Sequence, residues 1–91
     1  MSTEARLQQR IAKELTTAGW LVRKVSYEGR RGCPDLICMR DGRVVFIEVK
    51  SPTGRGRLSR FQELEHARLR EAGMDVMVVS DIDEIRERFN T

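Results

Sequence analysis

Two apolar runs, Asp35-Leu36-Ile37-Cys38-Met39 and Arg43 through Lys50, are separated only by Arg40-Asp41-Gly42. Asp-Gly between such runs signals a tight β-hairpin, because the favoured turn needs positive φ at both central residues. With Asp41 and Gly42 as the turn, Arg40 faces Arg43, Met39 faces Val44, Ile37 faces Phe46 and Asp35 faces Glu48. Directly opposed residues share a face, with Cβ atoms about 5 Å apart. The register therefore sets two carboxylates side by side, and the period of two puts Lys50 on their face. Leu36, Cys38, Val45, Ile47 and Val49 fall on the other face. Both faces are mostly apolar, which predicts a sheet covered on both sides.

The flanking sequence supplies the cover. From Thr3-Glu4 to Thr17, Leu7, Ile11, Leu15 and Ala18 trace one stripe of an amphipathic helix, capped by Ser2 or Thr3 and stopped at Gly19. Trp20 to Ser26 reads as a strand, and Tyr27 to Pro34 as a basic loop. After the hairpin, Ser51 to Arg57 is a glycine-rich basic loop. Ser59 caps a second helix ending at Gly73, with Phe61, Leu64, Ala67 or Arg68, and Leu69 to Ala72 as its stripe. Asp75 to Val79 is a continuous apolar run, as a buried strand parallel to its neighbour requires. Asp81 opens a terminal helix with Ile82, Ile85 and Phe89 facing inward. The expectation is an α/β fold: an αβββαβα sandwich with a mixed central sheet, one domain over residues 1–91.

Composition narrows the class. No apolar run approaches the roughly 20 residues of a membrane span, and Met1 to Arg6 lacks the layout of a signal peptide. Cys33 and Cys38 have no second Cys/His pair at zinc-ligand spacing, and His66 is the single histidine, which reads as a surface residue. Reduced thiols and an intracellular protein, in a bacterium or a phage-infected host, are expected. The net charge of +3 conceals a split: +1 over Met1–Val22, +6 over Arg23–Arg60 and −4 over Phe61–Thr91. Fourteen of the 17 cations are Arg, the better bidentate phosphate binder. A basic zone of this kind is either a solvated surface or the footprint of a polyanionic partner.

Opposed carboxylates on an apolar hairpin need a counter-charge, since adjacent like charges destabilise a strand pair. A divalent cation removes the conflict, and oxygen-only ligands suit Mg²⁺, which takes one or two carboxylates and keeps several waters. Neutralisation by Lys50 and nearby Arg side chains, as a structural ion cluster, is the other reading.

Gly32-Cys33-Pro34-Asp35-Leu36 followed by Phe46-Ile47-Glu48-Val49-Lys50 resembles the PD-(D/E)XK nuclease signature, in the restriction-endonuclease-like fold. With Glu48-Val49-Lys50-Ser51-Pro52, Leu58-Ser59 and Gln62, the pattern resembles more narrowly the VRR-NUC branch, over nearly the whole chain. The resemblance implies Mg²⁺ or Mn²⁺ held by Asp35, Glu48 and the Val49 carbonyl, with Lys50 orienting and helping to deprotonate the attacking water. It implies an acidic contact from the first helix, matched by Glu14, and a neutral amide, Gln62, holding Lys50 or a phosphate.

Arg30, Arg31, Arg55, Arg57 and Arg60 flank the two chemical strands and are expected to contact phosphates, which positions DNA without reading its sequence. The expected activity is metal-dependent, structure-selective DNA endonuclease activity on branched DNA such as four-way junctions or flaps. One site per short chain and two strands to cut point to a homodimer. A catalytically idle nucleic-acid-binding module is the alternative. An interaction subunit is a third reading, motivated only by the acidic C-terminal third.

Overall fold

The computed structural model describes residues 2–53 and 57–90. Its elements are α1 (Thr3–Thr17), β1 (Leu21–Lys24), β2 (Leu36–Arg40), β3 (Arg43–Val49), α2 (Arg60–Glu71), β4 (Asp75–Val79) and α3 (Ile82–Phe89), in the expected order. The sheet runs β1-β2-β3-β4, with the first three strands antiparallel and β4 parallel to β3. The hairpin has the anticipated register from Arg40–Arg43 to Leu36–Ile47, around a turn in which Asp41 and Gly42 both take positive φ. The first strand is shorter than the sequence suggested, because Trp20 turns into the core ahead of it.

One face of the sheet is dry. Leu36, Cys38, Val45, Ile47, Val49 and Val79 meet Leu7, Ile11 and Leu15 of α1 and Ile82 and Ile85 of α3. Phe89 closes this layer edge-on to Trp20, with ring centroids 4.9 Å apart. Burial pushes the Cys38 thiol up to about 12, so it stays protonated at neutral pH. Both cysteines are free thiols.

The second face departs from expectation in two ways. Helix α2 packs against β4 and leaves the face toward β1 partly open, so Ile37, Met39, Val44 and Phe46 are only half-buried and Leu21 is 48% exposed. The stripe of α2 itself is also reversed from the sequence reading. Phe61 is 48% and Leu64 42% exposed, whereas the buried residues of this helix are Glu65 and His66. The face that α2 turns to the sheet is polar because it meets Glu48 there.

Candidate active site

Strand alternation sends Val45, Ile47 and Val49 into the dry layer and turns Glu48 to the side of α2, where it is 2% exposed. Asp35 lies one residue before β2, outside the ladder, and its own N–H donates to the Ile47 carbonyl at 3.1 Å. Its carboxylate reaches across to accept the Val49 N–H at 2.7 Å. The strict opposition of Asp35 and Glu48 thus gives way at the end of the ladder, but the two acids remain neighbours. Burial first, and Asp35 beside it second, push the Glu48 carboxyl up to about 8, against the opposing pull of Lys50.

The turn before Asp35 is fixed by backbone contact. Gly32 has φ +92°, and a Cβ there would stand 2.3 Å from the Phe61 carbonyl oxygen. Only glycine lets this loop pass so close under the first turn of α2. The same turn is held by a capping box, in which Gln62 N–H donates to Ser59 Oγ at 3.1 Å and Ser59 N–H donates to Gln62 Oε1 at 2.9 Å. Lys50 Nζ also donates to Gln62 Oε1, at 3.1 Å, while Gln62 Nε2 donates to Glu48 Oε2 at 3.3 Å. One amide therefore ties the lysine, the buried carboxylate and the helix cap together.

His66 corrects the sequence reading. It is 1% exposed, and its Nε2 lies 3.3 Å from Glu48 Oε1. Burial lowers its pKa below the usual imidazole value, helped by the positive charges of Arg70 and Lys50. The available signal was spacing, since residues four apart on a helix share a face and Gln62 had already been placed toward Lys50. Its neighbour Glu65 accepts from Tyr27 Oη at 2.8 Å, and the Tyr27 hydroxyl is pushed up to about 12 by burial and by this bond.

Glu14 is not part of this cluster. Its two oxygens share the Arg86 Nε N–H, at 3.1 and 3.2 Å, and Oε1 also accepts from Arg86 Nη2, on the side where α1 meets α3. That guanidinium holds its carboxyl below the ordinary value. The α1 carboxylate whose charge acts on Glu48 is Glu4, half-buried in the first turn. Ten residues of helix, about 15 Å, separate the two.

The arginines are spread along the rim. Arg30 lies 3.8 Å from Glu65, Arg31 stacks its guanidinium 5.0 Å above the Phe61 ring, and Arg57 and Arg60 are exposed before and at the start of α2. Arg55 lies outside the described residues.

Among the described residues, no group of three or more His, Cys, Asp and Glu side chains gathers as a ready metal cage. Two adjacent carboxylates and a backbone carbonyl still match the small protein share that Mg²⁺ takes. Burial first, and the neighbouring Asp35 second, disfavour the charged form of Glu48, and a divalent cation would favour it. The donor chemistry fits such an ion.

The VRR-NUC domain family profile matches residues 2–80. The chain belongs to the VRR-NUC family. A solved structure described as a VRR_NUC domain superposes with TM-score 0.88 at 34% identity, covering 99% of this chain and 97% of that one. "Putative nuclease p44" of Acyrthosiphon pisum secondary endosymbiont phage 1 is 32% identical over 81 residues, 88% of this chain and 85% of that protein. This VRR-NUC chain is accordingly a nuclease-family domain, and the Asp35–Glu48–Lys50 corner carries the residues through which its sequence resembles nucleases. No helix among the described residues is long and apolar enough to cross a membrane.

Proposed function

We propose that the chain is a metal-dependent endonuclease acting on branched DNA. The observation that carries this reading is the buried Glu48 beside Asp35, with Lys50 held by the Gln62 that also binds Glu48. Asp35, Glu48 and the Val49 carbonyl would hold Mg²⁺ or Mn²⁺, and a bound ion supplies a polarised water and counter-charge for the phosphate. Gln62 fixes the Lys50 ammonium at the edge of this corner, where it orients the attacking water and offsets charge building on the phosphate oxygens. Glu4, nearer than Glu14, takes the part of the acidic contact from α1. Arg30, Arg31, Arg57 and Arg60 grip phosphates by charge and contribute no base reading, so shape selects the substrate. Arg55 belongs to the same basic loop in sequence.

Residues 1–91 act as one nuclease domain with one site, and two copies in a homodimer would cut both strands of a symmetric junction. The half-open sheet face beside α2, with Leu21 exposed, leaves apolar surface that suits assembly with a partner. The phage relative suits action inside a bacterium or a phage-infected host.

The test is cleavage of linear, flap and four-way DNA with Mg²⁺, with Mn²⁺ and with chelator. Cleavage of branched substrates only in the presence of metal is expected. Intact branched DNA at every metal and salt concentration contradicts the proposal, and binding without cutting would favour the idle binding module.

A further inference from the structure

Glu48 is held on both of its oxygens by one face of α2. Gln62 Nε2 reaches Oε2 at 3.3 Å, and His66 Nε2 reaches Oε1 at 3.3 Å. The two donors stand four residues apart, the spacing that aligns side chains on a helix. A carboxylate paired with an imidazole at this depth serves either packing or position. Packing alone does not need a histidine, since an apolar side chain fills such a site without bringing a polar ring into it. His66 is 1% exposed, and its Nδ1 has no hydrogen-bond partner among the described residues. Burying that nitrogen is a cost, which the bond from Nε2 must offset.

We infer that His66 is a positioning residue of the nuclease site, donating from Nε2 to Glu48 so that Glu48 and Gln62 stay aligned for a divalent cation. The inference rests on the metal-dependent reading proposed above. A carboxylate that holds a divalent cation only accepts, so with the cation in place Nε2 must carry the proton. Nδ1 is then the bare nitrogen, and no buried N–H is left without an acceptor. The opposite tautomer would break the bond to Glu48 and orphan an N–H at Nδ1. The neutral Nε2–H ring is therefore the form that this pocket accepts. The ring does not touch the reacting phosphate. It acts through Glu48, as the outer partners of metal ligands do in fixing the direction of a carboxylate.

His66→Met fills the space without a donor, and His66→Gln restores an N–H at similar reach. Mn²⁺ binding to each DNA-free protein, read by titration, is expected to weaken on the order of 10-fold in His66→Met. His66→Gln should recover most of it, with both variants folded by circular dichroism. In the wild-type protein loaded with Mg²⁺, ¹⁵N resonances of the ring should show Nε2 protonated and Nδ1 bare, a readout that needs no variant to fold. A ring protonated at Nδ1 alone overturns the inference. So does unchanged Mn²⁺ affinity in His66→Met, or a His66→Gln variant as weak as His66→Met. If the wild-type protein binds no Mn²⁺, the metal reading itself falls and takes this role with it. If the wild-type protein binds and the variants match it, only the role of His66 falls.

Discussion

Strand β3 shows two chemistries on its two faces. Toward α1 and α3 it presents Val45, Ile47 and Val49, all fully buried in an apolar layer. Toward α2 it presents Phe46, half-buried, and Glu48, fully buried among an aspartate, a lysine, an amide and an imidazole. The dry face holds the sheet to its helices through apolar burial, worth roughly 25 cal/mol per Å² removed from water. The polar face works against stability, because a carboxylate is buried next to another and must be held by donors on every side. Burial of the same depth thus does two jobs, joining layers on one face and enclosing charged groups on the other.

Substitutions at neighbouring positions of β3 should separate the two jobs. Glu48→Gln, which keeps the shape and removes the charge, should lower cleavage by about 10²–10³-fold, the scale of losing one electrostatic group at a reacting centre. A cleavage time course on a branched substrate checks it, and near-normal rates would remove Glu48 from the site. Ile47→Ala, one residue away on the dry face, should cost about 2–5 kcal/mol in denaturant unfolding while the remaining folded molecules still cut. Equal losses of activity per folded molecule in both variants would erase the distinction between the faces.

A smaller effect concerns pH. The folded Glu48 pKa, pushed up to about 8 by burial and by Asp35, exceeds its ordinary value of 4.5. The folded state therefore holds a proton that the unfolded chain has released, so stability from this group is complete below the ordinary value and is lost as pH rises toward 8. Without metal, the melting temperature of Glu48→Gln relative to wild type should climb across that window. A constant difference would contradict the burial conflict. The smallest effect is expected at the other acid of interest. Arg86→Ala frees Glu14 where α1 meets α3, and neither cleavage nor melting temperature should move appreciably. A large drop in cleavage would restore Glu14 to the site.

The dry face was legible because its rule is simple. Leu7, Ile11 and Leu15 repeat at helical spacing and Asp41-Gly42 marks a turn, and both sit as expected, while Asp75 to Val79 is the expected parallel strand but lies at the sheet edge with only Val76 and Val79 buried. The polar face was legible only where a motif crossed it. Pro34-Asp35 and Glu48-Val49-Lys50 announced themselves, but the apolar stripe of α2 pointed the wrong way. Its exposed Phe61 supports Arg31, and its buried positions are the polar ones that serve Glu48. Hydrophobic periodicity assumes that the inner face is apolar, so it fails where the inner face is polar. The surroundings of Glu14 are a separate case. Its partner Arg86 lies 72 residues away, and no local pattern reveals that contact. The need for Gly32 likewise depends on the Phe61 carbonyl, a contact made only when α2 docks.

The central claim is that the Asp35–Glu48–Lys50 corner cuts DNA and that Lys50 acts in the cutting step. Side-by-side measurement of DNA binding and cleavage by wild-type protein and Lys50→Ala, on one branched substrate with Mg²⁺, tests it most directly. Retained binding with cleavage abolished is the predicted result. Unchanged product yield from Lys50→Ala would contradict the assignment.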